Sequence, residues 1–157
     1  MKILALDLAT KTGWAFGDTD DDVVRIHSGV QDFSLKRGES RGMRFLHFDR
    51  WIYQMLAECD PEVVVYETPH HQGGHATEVL LGLVGLVQKA VAEAKTEHAS
   101  VHSATLKKFA TGSGRASKEE MKIRAIQRFA RQVEDDNEAD ALHIWDWARE
   151  NIARRKK

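Results

Sequence analysis

Runs of apolar residues and their spacing predict five strands and four helices along this chain of 157 residues. Short apolar or alternating runs predict strands at residues 2–8, 14–18, 23–34, 62–66 and 99–103. Apolar residues at spacings of three and four predict helices at about residues 41–58, 77–96, 117–133 and from 136 onward. The order is three strands, helix, strand, helix, strand and two helices, which predicts a mixed five-stranded α/β sheet flanked by helices.

Two serines mark the expected starts of helices. Ser40 is a suitable N-cap for the helix at 41–58. Ser117 is followed three residues later by Glu120, which is the capping-box pattern that satisfies backbone amides at a helix N-terminus. These signals support the helix boundaries that the apolar spacing predicts.

Composition indicates an ordinary globular protein, with 42% hydrophobic residues, 30% charged residues and a formal net charge of -1. The length suits a single domain over residues 1–157. With Cys59 as the single cysteine, no internal disulfide can form. The N-terminus lacks the pattern of a signal peptide, and the apolar stretch at 79–91 is too short to predict a membrane span. We therefore expect a cytoplasmic protein without a membrane role.

Carboxylates stand at the ends of two apolar strands and on one face of the last helix. Asp7 is the sixth residue of an otherwise apolar strand and Glu67 ends another, while Asp136 and Asp140 are one helical turn apart. A single strand Asp is more often a structural hydrogen-bonding group, so the combination carries the argument. Crowded carboxylates repel one another unless cations neutralise them. Hard divalent ions such as Mg²⁺ suit oxygen ligands, and two such ions can catalyse phosphodiester cleavage.

Four segments, in the same order, resemble motifs of the RuvC family of Holliday junction resolvases, within the ribonuclease H-like superfamily. They are LALDLATKTGWA, VVVYETP, LKKFATGSGRASKEEM and DDNEADALHIW. The resemblance extends from residue 2 to about 150 and is nearest to the shorter RuvC-like enzymes of bacteriophages and prophages. It implies a ribonuclease H-like fold and a homodimeric, metal-dependent endonuclease that resolves four-way DNA junctions by paired symmetric nicks.

The resemblance also implies the ligands of the metal, which would be two Mg²⁺ or Mn²⁺ ions in each active site. Asp7, Glu67 and Asp140 match the family's metal-binding carboxylates. A fourth ligand is expected one turn before Asp140. Asn137, three residues before it, departs from the family's acid, so we favour Asp136, four residues before it.

Two other residues of the last helix have open roles. Glu138 is an alternative fourth ligand, together with Asn137. His143 is one turn past Asp140, where it would orient the attacking water or bind metal; a histidine on the helix surface is the alternative interpretation.

The loop after Glu67 contains candidate DNA-binding histidines. The family places an aromatic side chain there that stacks on bases, and His70 stands at about that position, next to His71. An ordinary mobile loop is one alternative. A zinc site that includes His75 is another, although no cysteine supports it and the spacing is unconvincing.

Basic residues surround a glycine-rich turn at residues 112–114 and define a second candidate DNA contact: Lys107, Lys108, Arg115 and Lys118. Exposed amides at a helix N-terminus and nearby cations suit phosphate oxygens. The resemblance implies that Lys118 lies nearest the DNA backbone at the cleavage point. A solvated charged face is the competing interpretation, above all for Lys107 and Lys108, and the basic residues 154–157 are open to the same two interpretations.

The helix at 77–96 is apolar on most sides and must therefore be covered on more than one side. The resemblance implies dimerisation through this helix, with Gly82 and Gly85 allowing close approach. Burial under the helix at 41–58 within the monomer is the alternative.

Two other functions remain open at this point. A protein that binds junctions without cutting them would lack a complete metal site, and Asn137 is a hint toward it. A nuclease that acts on flaps or replication forks would use the same carboxylates, because the sequence does not encode which branch is preferred.

Overall fold

The structure of the protein, a computed structural model, describes residues 1–20, 25–69 and 73–156. The elements in chain order are β1 (Lys2–Asp7), β2 (Lys11–Asp18), β3 (Ile26–Asp32), α1 (Arg41–Cys59), β4 (Val63–Glu67), α2 (Gly74–Ala94), β5 (Glu97–Val101), α3 (Ser103–Thr111), α4 (Lys118–Phe129), α5 (Asp136–Asn151) and a short 3-10 helix (Ala153–Lys156).

The strands form one mixed sheet in the order β3-β2-β1-β4-β5, which confirms the predicted fold class. The first three strands are antiparallel neighbours, whereas β1, β4 and β5 run parallel. Parallel neighbours need crossover connections, and α1 and α2 provide them. Because β1 and β4 are parallel and adjacent, with Leu6 opposite Tyr66, their last residues Asp7 and Glu67 reach the same edge of the sheet.

Helices cover both faces of the sheet, so the central strands are continuous apolar runs. Alternate residues of β1 point to opposite faces. Leu4 and Leu6 pack with α1 and α2, whereas Ile3 and Ala5 pack with α5, α4 and α3. The largest fully buried side chain, Trp145 of α5, lies in the second of these layers.

A close contact between β2 and α5 sets the position of the last helix. Gly13 pairs with Asp7 across the β1–β2 ladder. A Cβ atom at Gly13 would lie 1.9 Å from the backbone carbonyl oxygen of Asn137, a distance that no side chain could occupy. Glycine at this position therefore allows the first turn of α5 to lie directly against the sheet beside Asp7.

The sequence prediction missed one helix and displaced several boundaries. Residues 103–111 form α3, and β5 covers 97–101 instead of 99–103. The alternation that identifies a strand is weak in β5, because most of its residues are exposed at the edge of the sheet. Helix α4 ends at Phe129, before the predicted 133, because Ala130 adopts a left-handed conformation with φ 50°.

Helix α2 covers residues 74–94, close to the predicted 77–96, and is longer than the apolar stretch at 79–91. Within the described residues it is the one helix whose length and composition would allow it to cross a membrane, a test that core helices of soluble proteins also pass. Val79, Leu83 and Val87 are buried among the side chains of α1 and the sheet. This side of α2 is therefore an interior surface of the protein.

The two glycines of α2 lie in different surroundings. A Cβ atom at Gly82 would lie 2.4 Å from the ring of Phe45, so Gly82 allows close packing of α1 within the monomer. A Cβ atom at Gly85 would meet no atom within 4 Å outside its own helix backbone, and Leu81 is 44% exposed. The monomer thus covers one side of α2, and dimerisation through the other side stays a prediction.

Candidate active site

Three carboxylates from distant parts of the chain line one cavity of about 300 Å³ at the edge of the sheet. Asp7 ends β1, Glu67 ends β4, and Asp140 lies in the second turn of α5. The strand-end carboxylates meet because their strands are parallel neighbours, and Asp140 joins them because α5 lies against β2 at Gly13.

Two carboxyl groups of the cavity have raised pKa values, because they are buried close to other negative charges. Burial raises the pKa of Asp7 well above its usual value, and the charges of Asp140 and Glu67 raise it further, whereas Lys118 lowers it. Burial also raises the pKa of Asp140 to about 6, with a further contribution from Glu67, against the lowering effect of Lys118 and Lys107. A cation bound among these groups would relieve both the repulsion and the cost of burying charge.

The donor set fits a hydrated divalent cation better than an ion fully enclosed by protein. In the described part of the chain, no three His, Cys, Asp or Glu side chains lie close enough together to enclose a metal ion by themselves. Mg²⁺ usually keeps several waters and binds one or two carboxylates together with substrate phosphates. A cavity lined by separate carboxylate and amide groups suits that mode of binding, and the described residues of its wall include neither a histidine nor a cysteine, the ligands typical of zinc sites.

Of the candidate fourth ligands in the first turn of α5, Asn137 lines the cavity, which differs from our preference for Asp136. Helix α5 begins at Asp136. The side chain of the preceding residue, Asp135, accepts a hydrogen bond of 2.8 Å from the backbone N–H of Asn137. The Asp136 carboxylate lies outside the cavity wall, 3.7 Å from Nζ of Lys122 on α4. Its charge still contributes to raising the pKa of Asp140.

Glu138 does not face the cavity. Its carboxylate accepts hydrogen bonds from the Ser28 hydroxyl and from the Arg131 guanidinium, the latter at 3.2 Å. Glu138 therefore connects α5 to β3, and the interpretation as a fourth ligand is wrong for this arrangement.

His143 is an interior residue, which corrects both of our sequence interpretations. It is 2% exposed, and its Nε2 donates a hydrogen bond of 2.9 Å to the carbonyl oxygen of Met121 in α4. Burial lowers the pKa of His143, so the ring is neutral. The side chain does not line the carboxylate cavity, and it fastens α5 to the turn of α4 that follows Lys118.

Two of the four predicted basic residues face the cavity. Lys107 and Lys118 line it, whereas Lys108 and Arg115 are exposed outside it. Successive residues on a helix point about 100° apart, so α3 directs Lys107 toward the carboxylates and Lys108 toward solvent. Lys118 is the first residue of α4, and the predicted capping box of Ser117 and Glu120 is present.

Sequence reasoning missed two hydroxyl groups on the cavity wall, those of Thr68 and Ser103. Thr68 follows β4 and Ser103 follows β5, and these strands are parallel neighbours. The rule that identified Glu67, polar residues at the ends of adjacent parallel strands, would have identified both.

His70 and His71 lie outside the described residues, so their proposed contact with DNA and their part in a zinc site stay predictions. His75 is described at the start of α2, where its Nδ1 lies 3.2 Å from the carboxylate of Glu78.

Comparisons of structure identify the fold. Thermus thermophilus RuvC matches with a TM-score of 0.77 and 20% sequence identity, over 96% of each chain. T. thermophilus RuvC in complex with Holliday junction substrate matches with a TM-score of 0.77 and 21% identity, over 92% of this chain and 90% of that one. The yeast mitochondrial Holliday junction resolvase Ydc2 matches with a TM-score of 0.63 and 14% identity, over 90% of this chain and 75% of the other.

Sequence comparison adds no relative: no protein-family model and no curated protein sequence matches this chain significantly.

The structural matches, together with the mixed five-stranded sheet between helices, identify the ribonuclease H-like fold. More narrowly, it is the fold of the RuvC Holliday junction resolvases, as the resemblance of the four sequence segments implied.

Proposed function

We propose that this protein is a single-domain, metal-dependent endonuclease that resolves four-way DNA junctions by paired symmetric nicks in the cytoplasm. The observation that carries the proposal is the convergence of Asp7, Glu67 and Asp140 on one cavity that Lys107 and Lys118 border. The shared fold with a RuvC in complex with Holliday junction substrate supports the choice of DNA as the substrate.

Asp7, Glu67 and Asp140, with the amide oxygen of Asn137, would hold two Mg²⁺ or Mn²⁺ ions in each active site. When bound, the ions would stabilise charge on the phosphate and activate the attacking water. Cleavage would leave a 5′ phosphate and a 3′ hydroxyl.

The residues of the chain itself would position the phosphate. The ammonium groups of Lys107 and Lys118 lie on the cavity wall, where they would stabilise the negative charge that develops during cleavage. Backbone N–H groups at the N-terminus of α4, beside Lys118, would donate hydrogen bonds to another phosphate oxygen.

Paired nicks need two active sites, so the proposal includes a two-fold homodimer. The uncovered side of α2, which carries Leu81 and Gly85, is the proposed interface. An exposed leucine beside a glycine without neighbours allows two helices to approach closely.

The decisive experiment compares nicking of a synthetic four-way junction and of a matched linear duplex, in Mg²⁺, Mn²⁺ or EDTA. The wild type and Glu67→Gln are tested together, since glutamine keeps the shape of the side chain and removes its charge. We expect metal-dependent paired nicks on the junction for the wild type, and binding without nicking for the variant. Flap and fork substrates in the same assay would measure branch selectivity.

A second candidate is a junction-binding protein that does not cut. Asn137 favours it, because an amide stands on the cavity wall where a fourth carboxylate would complete a metal site. Tight junction binding by the wild type without nicking in either metal would establish this function instead.

A further inference from the structure

A second cavity, of about 690 Å³, opens beside the carboxylate cavity and has no role in the function proposed so far. The two cavities share part of their walls: Leu8, Ala9, Leu80 and Asn137 line both. A group that fills the second cavity therefore lies next to whatever the carboxylates hold.

The wall of this second cavity combines an apolar surface with a polar rim. Leu8 and Val79 are 6% and 7% exposed, and Leu80 and Ala76 extend the apolar surface beside them. The polar residues of the rim include hydroxyl groups and nitrogen donors from four different segments: Thr10, Lys11, Ser34, Arg44 and His75. Such a wall suits a ligand that has a flat apolar part and an anionic part.

Some of the rim charges are already balanced, and Arg44 is the group that stands out. Glu78 lies close to His75, and Asp32 faces Lys11 across the β2–β3 ladder. Arg44 uses its Nε to donate a hydrogen bond of 3.2 Å to the carbonyl oxygen of Phe33. Within the described ranges no carboxylate forms an ion pair with Arg44, so its terminal nitrogens remain suited to a phosphate.

We propose that the second cavity receives one unstacked nucleotide of the DNA strand that is cut, next to the phosphate at the carboxylates. The base would lie against Leu8, Val79 and Leu80, and the neighbouring phosphate would contact Arg44 and Lys11. A volume of about 690 Å³ is typical of a pocket for a small organic ligand, and a stacked duplex does not fit it. This inference rests on the proposed nuclease function and adds a substrate subsite to it.

The subsite also gives a physical reason for preferring branched DNA. A base must leave its stack before it can enter a pocket, and this unstacking costs least where pairing is already disturbed. The base pairs at a branch point meet that condition, whereas those of a linear duplex do not. The hydroxyls of Thr10 and Ser34 and the amide of Asn137 would then contact the edge of the base, so the same cavity would influence which sequence is cut.

Fluorescence of 2-aminopurine tests the proposal without any need for cleavage, because this base analogue brightens when it leaves the stack. The analogue is introduced in turn at each nucleotide of the cut strand that flanks the branch point. The wild-type protein is then added in EDTA. We expect a several-fold rise at one flanking position. Nicking of the same junctions in Mg²⁺ is measured in parallel.

Two variants act on different walls of the cavity. Ala76→Leu adds volume at an exposed position of α2, and Arg44→Ala removes the rim cation that would contact the neighbouring phosphate. Both should lose the fluorescence rise and slow nicking by about tenfold or more, the loss that corresponds to one good contact in the transition state. Arg50→Ala, which removes an exposed cation of α1 outside either cavity, is the matched control and should behave as the wild type. Thermal denaturation checks that each variant is folded.

The outcomes separate the two proposals. If the wild type nicks the junction but no flanking base brightens, or if both cavity variants nick like the wild type, the subsite is refuted and the nuclease function stands. If one base brightens in the wild type, not in Ala76→Leu, and no nicking occurs in either metal, the nuclease function fails and the subsite is supported.

Discussion

Asp140→Asn should make the metal-free protein more stable while abolishing nicking. The wild-type carboxylate is mostly buried beside Glu67, and this burial and repulsion raise its pKa from 3.8 to about 6. Asparagine has almost the same shape and carries no charge, so the variant removes the cost of ionising the side chain inside the cavity.

The size of the effect follows from the change in pKa. At about 1.36 kcal/mol for each pH unit, a rise from 3.8 to about 6 corresponds to about 3 kcal/mol when the group is fully ionised. The cavity is open to water and its carboxylates are coupled, so we expect about 1–3 kcal/mol. For a domain of this length, that corresponds to an increase in Tm of roughly 2–10 °C.

The sign depends on pH. Between pH 3.8 and about 6 the folded protein keeps a proton on Asp140 that the unfolded chain releases, so stability falls as pH rises through this window. The difference between variant and wild type should therefore vanish well below pH 3.8, reach about half of its full size at pH 5 and be complete at pH 8.

Thermal and urea denaturation in EDTA at pH 5 and pH 8 measure this difference, with Glu58→Gln as a control that neutralises an exposed carboxylate of α1. Added Mg²⁺ should stabilise the wild type more than the variant, because a ligand that binds the folded state stabilises it by mass action. If Asp140→Asn is folded but no more stable than the wild type at pH 8, burial and repulsion do not destabilise the ionised Asp140 as we argue.

Four further predictions follow from particular contacts. Gly13→Ala should lose nicking and about 1–3 kcal/mol of stability, measured by denaturation, because the new methyl group would overlap the backbone of Asn137. Asn137→Ala should raise the Mg²⁺ concentration needed for half-maximal nicking by about tenfold or more, whereas Asp136→Ala, outside the cavity wall, should raise it less. Titration of the nicking rate with Mg²⁺ distinguishes the two variants. Leu81→Asp should convert the proposed dimer to a monomer in light scattering and abolish paired nicks, and a variant that stays dimeric would exclude this face of α2. His143 should reduce stability as pH falls through its usual pKa of 6.5, because the unfolded ring takes up a proton that the buried ring does not; a smaller loss in His143→Gln, measured by denaturation at pH 5 and 7, would identify this residue.

Much of the site could be predicted because it depends on local chemistry. Apolar runs that end in Asp7 and Glu67 identify strands whose last residues carry the carboxylates. The helix pattern around Asp140 and the capping box at Ser117 are likewise readable from short spacings. These signals are sufficient for the mixed sheet, and the sheet brings both strand ends to one edge.

The choice among neighbouring residues depended on tertiary structure. Asp136, Asn137 and Glu138 are consecutive, yet Asn137 alone lines the cavity, because each step along a helix turns the side chain by about 100°. The orientation of the helix is set by a contact with Gly13, more than a hundred residues away in the chain.

The packing of the helices also explains the other differences between the sequence prediction and the structure. The sequence by itself determined which kinds of side chain the protein would gather: carboxylates at strand ends, lysines around a glycine turn and an apolar helix. Only the packing of α3, α4 and α5 decided that Lys107 faces the carboxylates, that His143 is buried beneath α4, and that a second cavity opens beside Asn137. Local spacing predicts the face of a helix, whereas the direction of that face depends on the contacts of the helix with the rest of the fold.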